Sequence, residues 1–169
     1  NHNTKKNDVS LYIYRTADRK QILYNAASSS GRITWSKKHP AKYWYTESNG
    51  SETNIRIADV VTGENSPVVT GIKDYTGFRL PDDESYILIF KDTRAKENSK
   101  NYKRYNSPND RWPWSGSKNA LYIYDFAKMS LQPVMDFERS VSVQDISPSG
   151  NKWLLTVSDE DLSQRPFSI

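Results

Sequence analysis

Between Arg104 and Asp125 the chain reads RYNSPNDRWPWSGSKNALYIYD, with two arginines and two tryptophans ahead of a clean β pattern. Arg104 and Arg111 carry guanidinium groups that can clamp a carboxylate through paired hydrogen bonds. Trp112 and Trp114 offer flat apolar surfaces on which a ligand can stack. These four residues are the candidate contact site for a ligand or a partner. A structural reading stands beside it: the tryptophans anchor a long hairpin on the sheet beneath, with Arg111 paired to Asp110 or a neighbour.

Other chemistry is thinly represented. The chain has no cysteine, which excludes disulfides, thiolate nucleophiles and cysteine metal sites. Its two histidines are His2, near the start, and His39, in a turn beside a proline, and it contains no G-x-S-x-G nucleophile elbow. A Ser–His–Asp triad needs a positioned imidazole, so catalysis by this chain alone is not expected. His39 lacks a nearby His or Cys partner for a metal ion. The acidic runs Asp82-Asp83-Glu84 and Asp159-Glu160-Asp161 lack the ligand spacing and glycine of a calcium loop and read as solvated turns. No metal and no cofactor is expected. The sequence YKRYN and RWPW interleaves basic and aromatic residues as single-strand binders do, but acidic neighbours in KEN and ND argue against nucleic acid as a partner. Asn49-Gly50-Ser51 is a glycosylation sequon.

The elements that hold these residues are legible in composition and repetition. At 169 residues the chain is long enough for one core. Aromatic residues make up 12% of it, with eleven tyrosines and five tryptophans, which suits half-buried strands. The net charge of +4 comes from 24 basic against 20 acidic residues, a mixed and solvated surface. No apolar run approaches the roughly 18 residues of a membrane span. Residues 1–8, NHNTKKND, read as a disordered or tag-like leader without methionine, and 9–169 as an excised part of a larger chain.

Aligned with itself, the chain shows LYIYRTADRKQILY (11–24), IRIADVVTGENSPVV (55–69) and LYIYDFAKMSLQPV (121–134) as one kind of segment. ITWSKKHPAKYWYTES (33–48), TGFRLPDDESYILIFKD (76–92) and VQDISPSGNKWLLTVS (143–158) form a second kind, interleaved with the first. Each is strand, turn, strand with period-two alternation. Asp18 to Asp59 is 41 residues and Ser36 to Leu80 is 44; Asp59 to Asp125 is 66 and Leu80 to Ser147 is 67. Both ladders lengthen at the same place, and the basic period is that of a four-stranded propeller blade. The expected fold is all-β: a partial β-propeller of about three to four four-stranded antiparallel blades, one with a long inserted hairpin loop at about 92–119. The matching loop one unit earlier is only SNGSETN, where Asn49-Gly50 is a ready turn. The arc should begin with the second half of one blade and end in the first half of another, leaving open edges that expose apolar surface or self-associate.

The turn segments WSKKHPAKYW, LPDDESYI and SPSGNKWLL resemble the S-P-D-G-K motif of Tol-type and prolyl-oligopeptidase-type propellers. Ser147, Pro148, Gly150 and Lys152 fall in register, whereas Ser36 lacks the following proline and Pro81 lacks the serine and glycine. The longer pattern SPNDRWPW, LYIYDF and LQPV, then SVSVQDISPSGNKWLLTVS and LSQRPFS, resembles the N-terminal propeller of bacterial prolyl oligopeptidase family serine peptidases. The resemblance implies a secreted or periplasmic parent whose α/β-hydrolase domain carries the nucleophile. It makes this region a non-catalytic filter for peptide substrates, with the hydrolase domain and the peptide as partners. Arg104, Arg111, Trp112 and Trp114 would then contact a peptide terminus or that domain. The alternative is an independent propeller scaffold that binds a carbohydrate or protein partner through loop aromatics.

Overall fold

The computed structural model describes residues 11–24, 33–93, 119–134 and 140–158, and all regular structure among them is β. The chain divides into two compact units, residues 1–72 and 73–169. In the first, β1 (Leu11–Arg15) and β2 (Lys20–Tyr24) form an antiparallel hairpin. A four-stranded sheet follows in chain order: β3 (Thr34–Trp35), β4 (Lys42–Ser48), β5 (Glu52–Asp59) and β6 (Asn65–Lys73). The second unit repeats this with β7 (Tyr75–Arg79), β8 (Tyr86–Asp92), β9 (Asn119–Asp125) and β10 (Ser130–Pro133), again paired in chain order. It ends in the described residues with the hairpin β11 (Ser140–Ile146) and β12 (Trp153–Ser158). Two four-stranded sheets are therefore complete, and a two-stranded hairpin precedes the first and follows the second in chain order. The leader residues 1–8 lie outside the described residues.

Strand chemistry follows from burial. Ile87, Leu88 and Ile89 of β8 are consecutive and all fully buried. Since alternate side chains point to opposite faces, this sheet is covered on both sides. On one face Leu88 and Leu121 join Val141 and Val143 of β11 in a core, with Tyr86, Phe90, Ile123, Trp153 and Leu155 packed around them. The terminal hairpin is thereby fixed against the sheet. In the first unit Trp44, Thr46, Thr53 and Ile55 are buried on β4 and β5, a one-face set matched by the pairs Trp44↔Ile57 and Thr46↔Ile55.

The turns define the repeat. Asp59 ends β5, and its Oδ1 accepts hydrogen bonds from the backbone N–H groups of Val61 and Thr62. Asp125 ends β9 and does the same for Ala127 and Lys128. Four residues on, Gly63 and Met129 take positive φ (76° and 48°), and so does Arg19 at 54°. The residue equivalent to Asp59 and Asp125 is therefore Arg15. The alignment of Asp18 with Asp59 and Asp125 is corrected by three residues, because Asp18 sits inside the turn and not at its head. Arg15 to Asp59 is then 44 residues, equal to Ser36 to Leu80. The Asn49-Gly50 turn holds, though only Gly50 uses positive φ (95°). Asn49 instead caps the turn through Oδ1, which accepts from the N–H groups of Ser51 and Glu52.

Candidate functional site

Arg104, Arg111, Trp112 and Trp114 lie outside the described residues. Their roots are described. β8 and β9 pair without interruption from Tyr86↔Asp125 to Asp92↔Asn119. Residues 93–118 thus leave and rejoin the sheet at two adjacent strand ends, between the second and third strands as the repeat requires. The connection at the same place in the first sheet, between β4 and β5, spans only residues 49–51.

Several polar bonds fasten this edge. The Asp92 N–H donates to the carbonyl of Asp74 at 2.7 Å, in the turn that precedes β7. The Thr76 hydroxyl donates to Asn119 Oδ1 at 3.1 Å, and the Asn119 N–H donates to Ser140 Oγ of β11 at 3.3 Å. β7, β8, β9 and β11 all meet at the base of the insertion. One step into the sheet, Lys91 Nζ lies 4.8 Å from the centre of the Tyr122 ring. Such a contact contributes about 0.5–1 kcal/mol where water has access. The edge offers hydrogen-bonding groups, a cation and an aromatic ring, chemistry suited to holding a polar chain. Lys91 and Tyr122 were not singled out from sequence, since a lysine and a tyrosine 31 positions apart become neighbours only once strand register is known.

The opposite edge of the same unit carries the turn motif. Gly150 is buried at φ 72°, and a Cβ there would stand 3.2 Å from Pro81 Cβ and 3.4 Å from Asp83 Oδ1. The turn after β11 therefore stacks directly on the turn after β7. The Tyr86 hydroxyl donates to the Gly150 carbonyl and accepts from the indole N–H of Trp153, whose ring lies 5.7 Å from its own. Burial pushes the Tyr86 phenol above its ordinary value; the Trp153 N–H opposes this and the nearby Asp83 adds to it. Asp83 Oδ1 accepts from both the N–H and the hydroxyl of Ser85, the work of a turn residue. His39 is likewise built into its turn: its N–H donates to Ser36 Oγ and its carbonyl accepts from the Lys42 N–H. Among the described residues no three acidic or histidine side chains gather closely enough to hold a metal ion.

No sequence-family model and no curated protein matches the chain. Solved structures do. TolB from Acinetobacter baumannii matches 90% of this chain with a TM-score of 0.51 and 15% identity, over 36% of TolB. This chain is part of a β-propeller. Acylaminoacyl peptidase from Pyrococcus horikoshii matches 79% of it with a TM-score of 0.54 and 15% identity, over 21% of the peptidase. Tricorn protease matches 83% with a TM-score of 0.53 and 12% identity, over 12% of its length. At these identities the likeness is one of fold, and the chain spans about a third or less of each of these proteins.

Proposed function

We propose that this chain is the non-catalytic propeller portion of a serine peptidase, gating or docking peptides for an α/β-hydrolase domain outside these residues. The observation that carries this reading is the fold likeness to acylaminoacyl peptidase, another structure of which holds the peptidic ketone Z-Gly-Gly-Phe-chloromethyl ketone. The turn motif at Ser147–Lys152 and the missing nucleophile elbow agree with it. In this reading Arg104, Arg111, Trp112 and Trp114 stand on the insertion edge as the peptide or domain contact, and the parent works outside the cytoplasm, in the bacterial periplasm.

The first test is the reading frame beyond Ile169: a G-x-S-x-G turn with downstream Asp and His supports the proposal, and a stop codon soon after Ile169 removes it. In such a parent, Arg111→Ala with Trp112→Ala should raise KM for peptides about tenfold, the loss of roughly 1.4 kcal/mol of ground-state binding. Turnover of a small ester should stay unchanged. Equal loss on both substrates would give the two residues a structural role. A second reading is a partner-binding scaffold of the TolB kind, favoured by the TolB match over 90% of the chain. Retention of a soluble partner by the isolated 169-residue chain, lost on Trp112→Ala, would support it.

A further inference from the structure

The short connection between β4 and β5 carries chemistry of its own. Asn49, Gly50 and Ser51 are all exposed, and the place of a Cβ on Gly50 has no neighbour within 4 Å. Asn49 Oδ1 is held twice: the Glu52 N–H donates to it at 3.0 Å and the Ser51 N–H at 3.4 Å. The Asn49 N–H donates to the Glu52 carbonyl at 3.0 Å and closes the same turn. Among the described residues, by contrast, the Gly50 N–H donates to no acceptor and Asn49 Nδ2 has no partner. The side-chain carbonyl is therefore polarised, while its own NH2 and the backbone nitrogen beside it stay unengaged. Two backbone N–H groups aimed at one carbonyl oxygen are the arrangement that stabilises the oxyanion of acyl transfer.

We propose that Asn49 is a self-modifying residue: the folded turn converts its carboxamide to a carboxylate through a cyclic imide with Gly50. The steps balance with water as the only co-reactant. The Gly50 nitrogen gives its proton to water and bonds to Asn49 Cγ, and the negative charge forms on Oδ1 between the two donors. Nδ2 then takes up a proton and leaves as ammonia, which closes the imide. Water adds to one of the two imide carbonyls and opens the ring. Attack at Cγ leaves aspartate at position 49 with the main chain unchanged. Attack at the backbone carbonyl leaves isoaspartate, with one more methylene in the main chain. The Ser51 and Glu52 donors polarise the Cγ carbonyl, so the turn directs water there and the product is aspartate. Its carboxylate keeps both N–H bonds, now charge-assisted, and the hairpin persists with one more negative charge. An unfolded Asn-Gly segment has no such donors. This site is independent of the peptidase reading.

The test compares the 169-residue chain folded in neutral buffer with the same chain in urea, where the donors are lost but the Asn-Gly pair remains. Tryptic cleavage after Lys42 and Arg56 isolates residues 43–56, and fragmentation in the mass spectrometer tells aspartate from isoaspartate at position 49. The folded chain should convert Asn49 several-fold faster than the unfolded one and give chiefly aspartate, whereas the unfolded chain should give chiefly isoaspartate. Ser51→Pro, which deletes one of the two donors, should slow the folded reaction about tenfold with its far-ultraviolet dichroism intact. A folded chain that converts Asn49 no faster than the unfolded one overturns the proposal. So does isoaspartate as the main product of the folded chain, or a folded Ser51→Pro chain that reacts at the unmodified rate.

Discussion

Arg15 and Asp125 hold the same place in two copies of one hairpin and carry opposite charges. Three residues on, the charges reverse: Arg15 Nε and a terminal guanidinium nitrogen donate to the Asp18 carboxylate at 2.8 and 2.6 Å, while Lys128 Nζ stands 3.7 Å from Asp125 Oδ2. The turn keeps an ion pair across positions one and four, and the carboxylate can sit at either end. At the head of the turn it also caps backbone N–H groups, as Asp59 and Asp125 do. Those bonds, Thr62 first and then Val61, hold the Asp59 carboxyl below its ordinary value. A swap of the second pair, Asp125→Lys with Lys128→Asp, should therefore lose the cap and keep the pair. Urea unfolding should show a loss of about 1 kcal/mol for the swap. Lys128→Ala, which breaks only an exposed pair, should cost less than that. A loss from Lys128→Ala with none from the swap would mean that the ion pair, and not the cap, stabilises this turn. This is also where the sequence misled: Asp18 matched its neighbours by letter, although the structural match is Arg15, because a carboxylate can serve this turn from either position.

At the scale of elements, the stacked turns after β7 and β11 set one sheet against the next hairpin. Gly150 and Gly63 share a positive φ, but only Gly150 meets neighbours within 4 Å. Gly63→Ala should cost about 1 kcal/mol from backbone conformation alone. Gly150→Ala adds the displacement of Pro81 and should cost about 2–3 kcal/mol. Equal costs in thermal unfolding would show that the turns can part freely. Tyr86→Phe removes the hydroxyl that serves both the Gly150 carbonyl and the Trp153 indole, a loss of about 1–2 kcal/mol at neutral pH. Its phenol is raised in the folded state, so its contribution is complete below the unfolded value near 10 and is lost as pH rises through the folded one. The variant should lose less stability than the parent between neutral pH and pH 11; an equally steep alkaline limb would assign that limb to other tyrosines. The four-strand period, the turn positions and the place of the insertion were all legible, because period-two alternation and Gly, Pro and Asn turns are local signals. The Tyr86–Gly150–Trp153 linkage was not, since it joins residues 64 and 67 positions apart through register and twist.

For the molecule as a whole, the likeness to TolB and to the peptidases is one of fold, and within it β8 of this chain, with Ile87, Leu88 and Ile89 fully buried, is a strand buried on both faces. The candidate contact residues were found by composition alone, as an unusual density of arginine and tryptophan; what they touch depends on contacts that no local pattern encodes. Their setting has a separate consequence. Backbone bonds join β8 to β9 as far as Asp92↔Asn119, so the sheet closes below the insertion whatever stands above it. The entropy of closing a loop grows by only about 0.6 kcal/mol for each doubling of its length. That joint is thus a natural port for cargo: a foreign domain whose own ends lie close together can be spliced between residues 93 and 118, or new chain termini opened there, with both strands still zipped beneath.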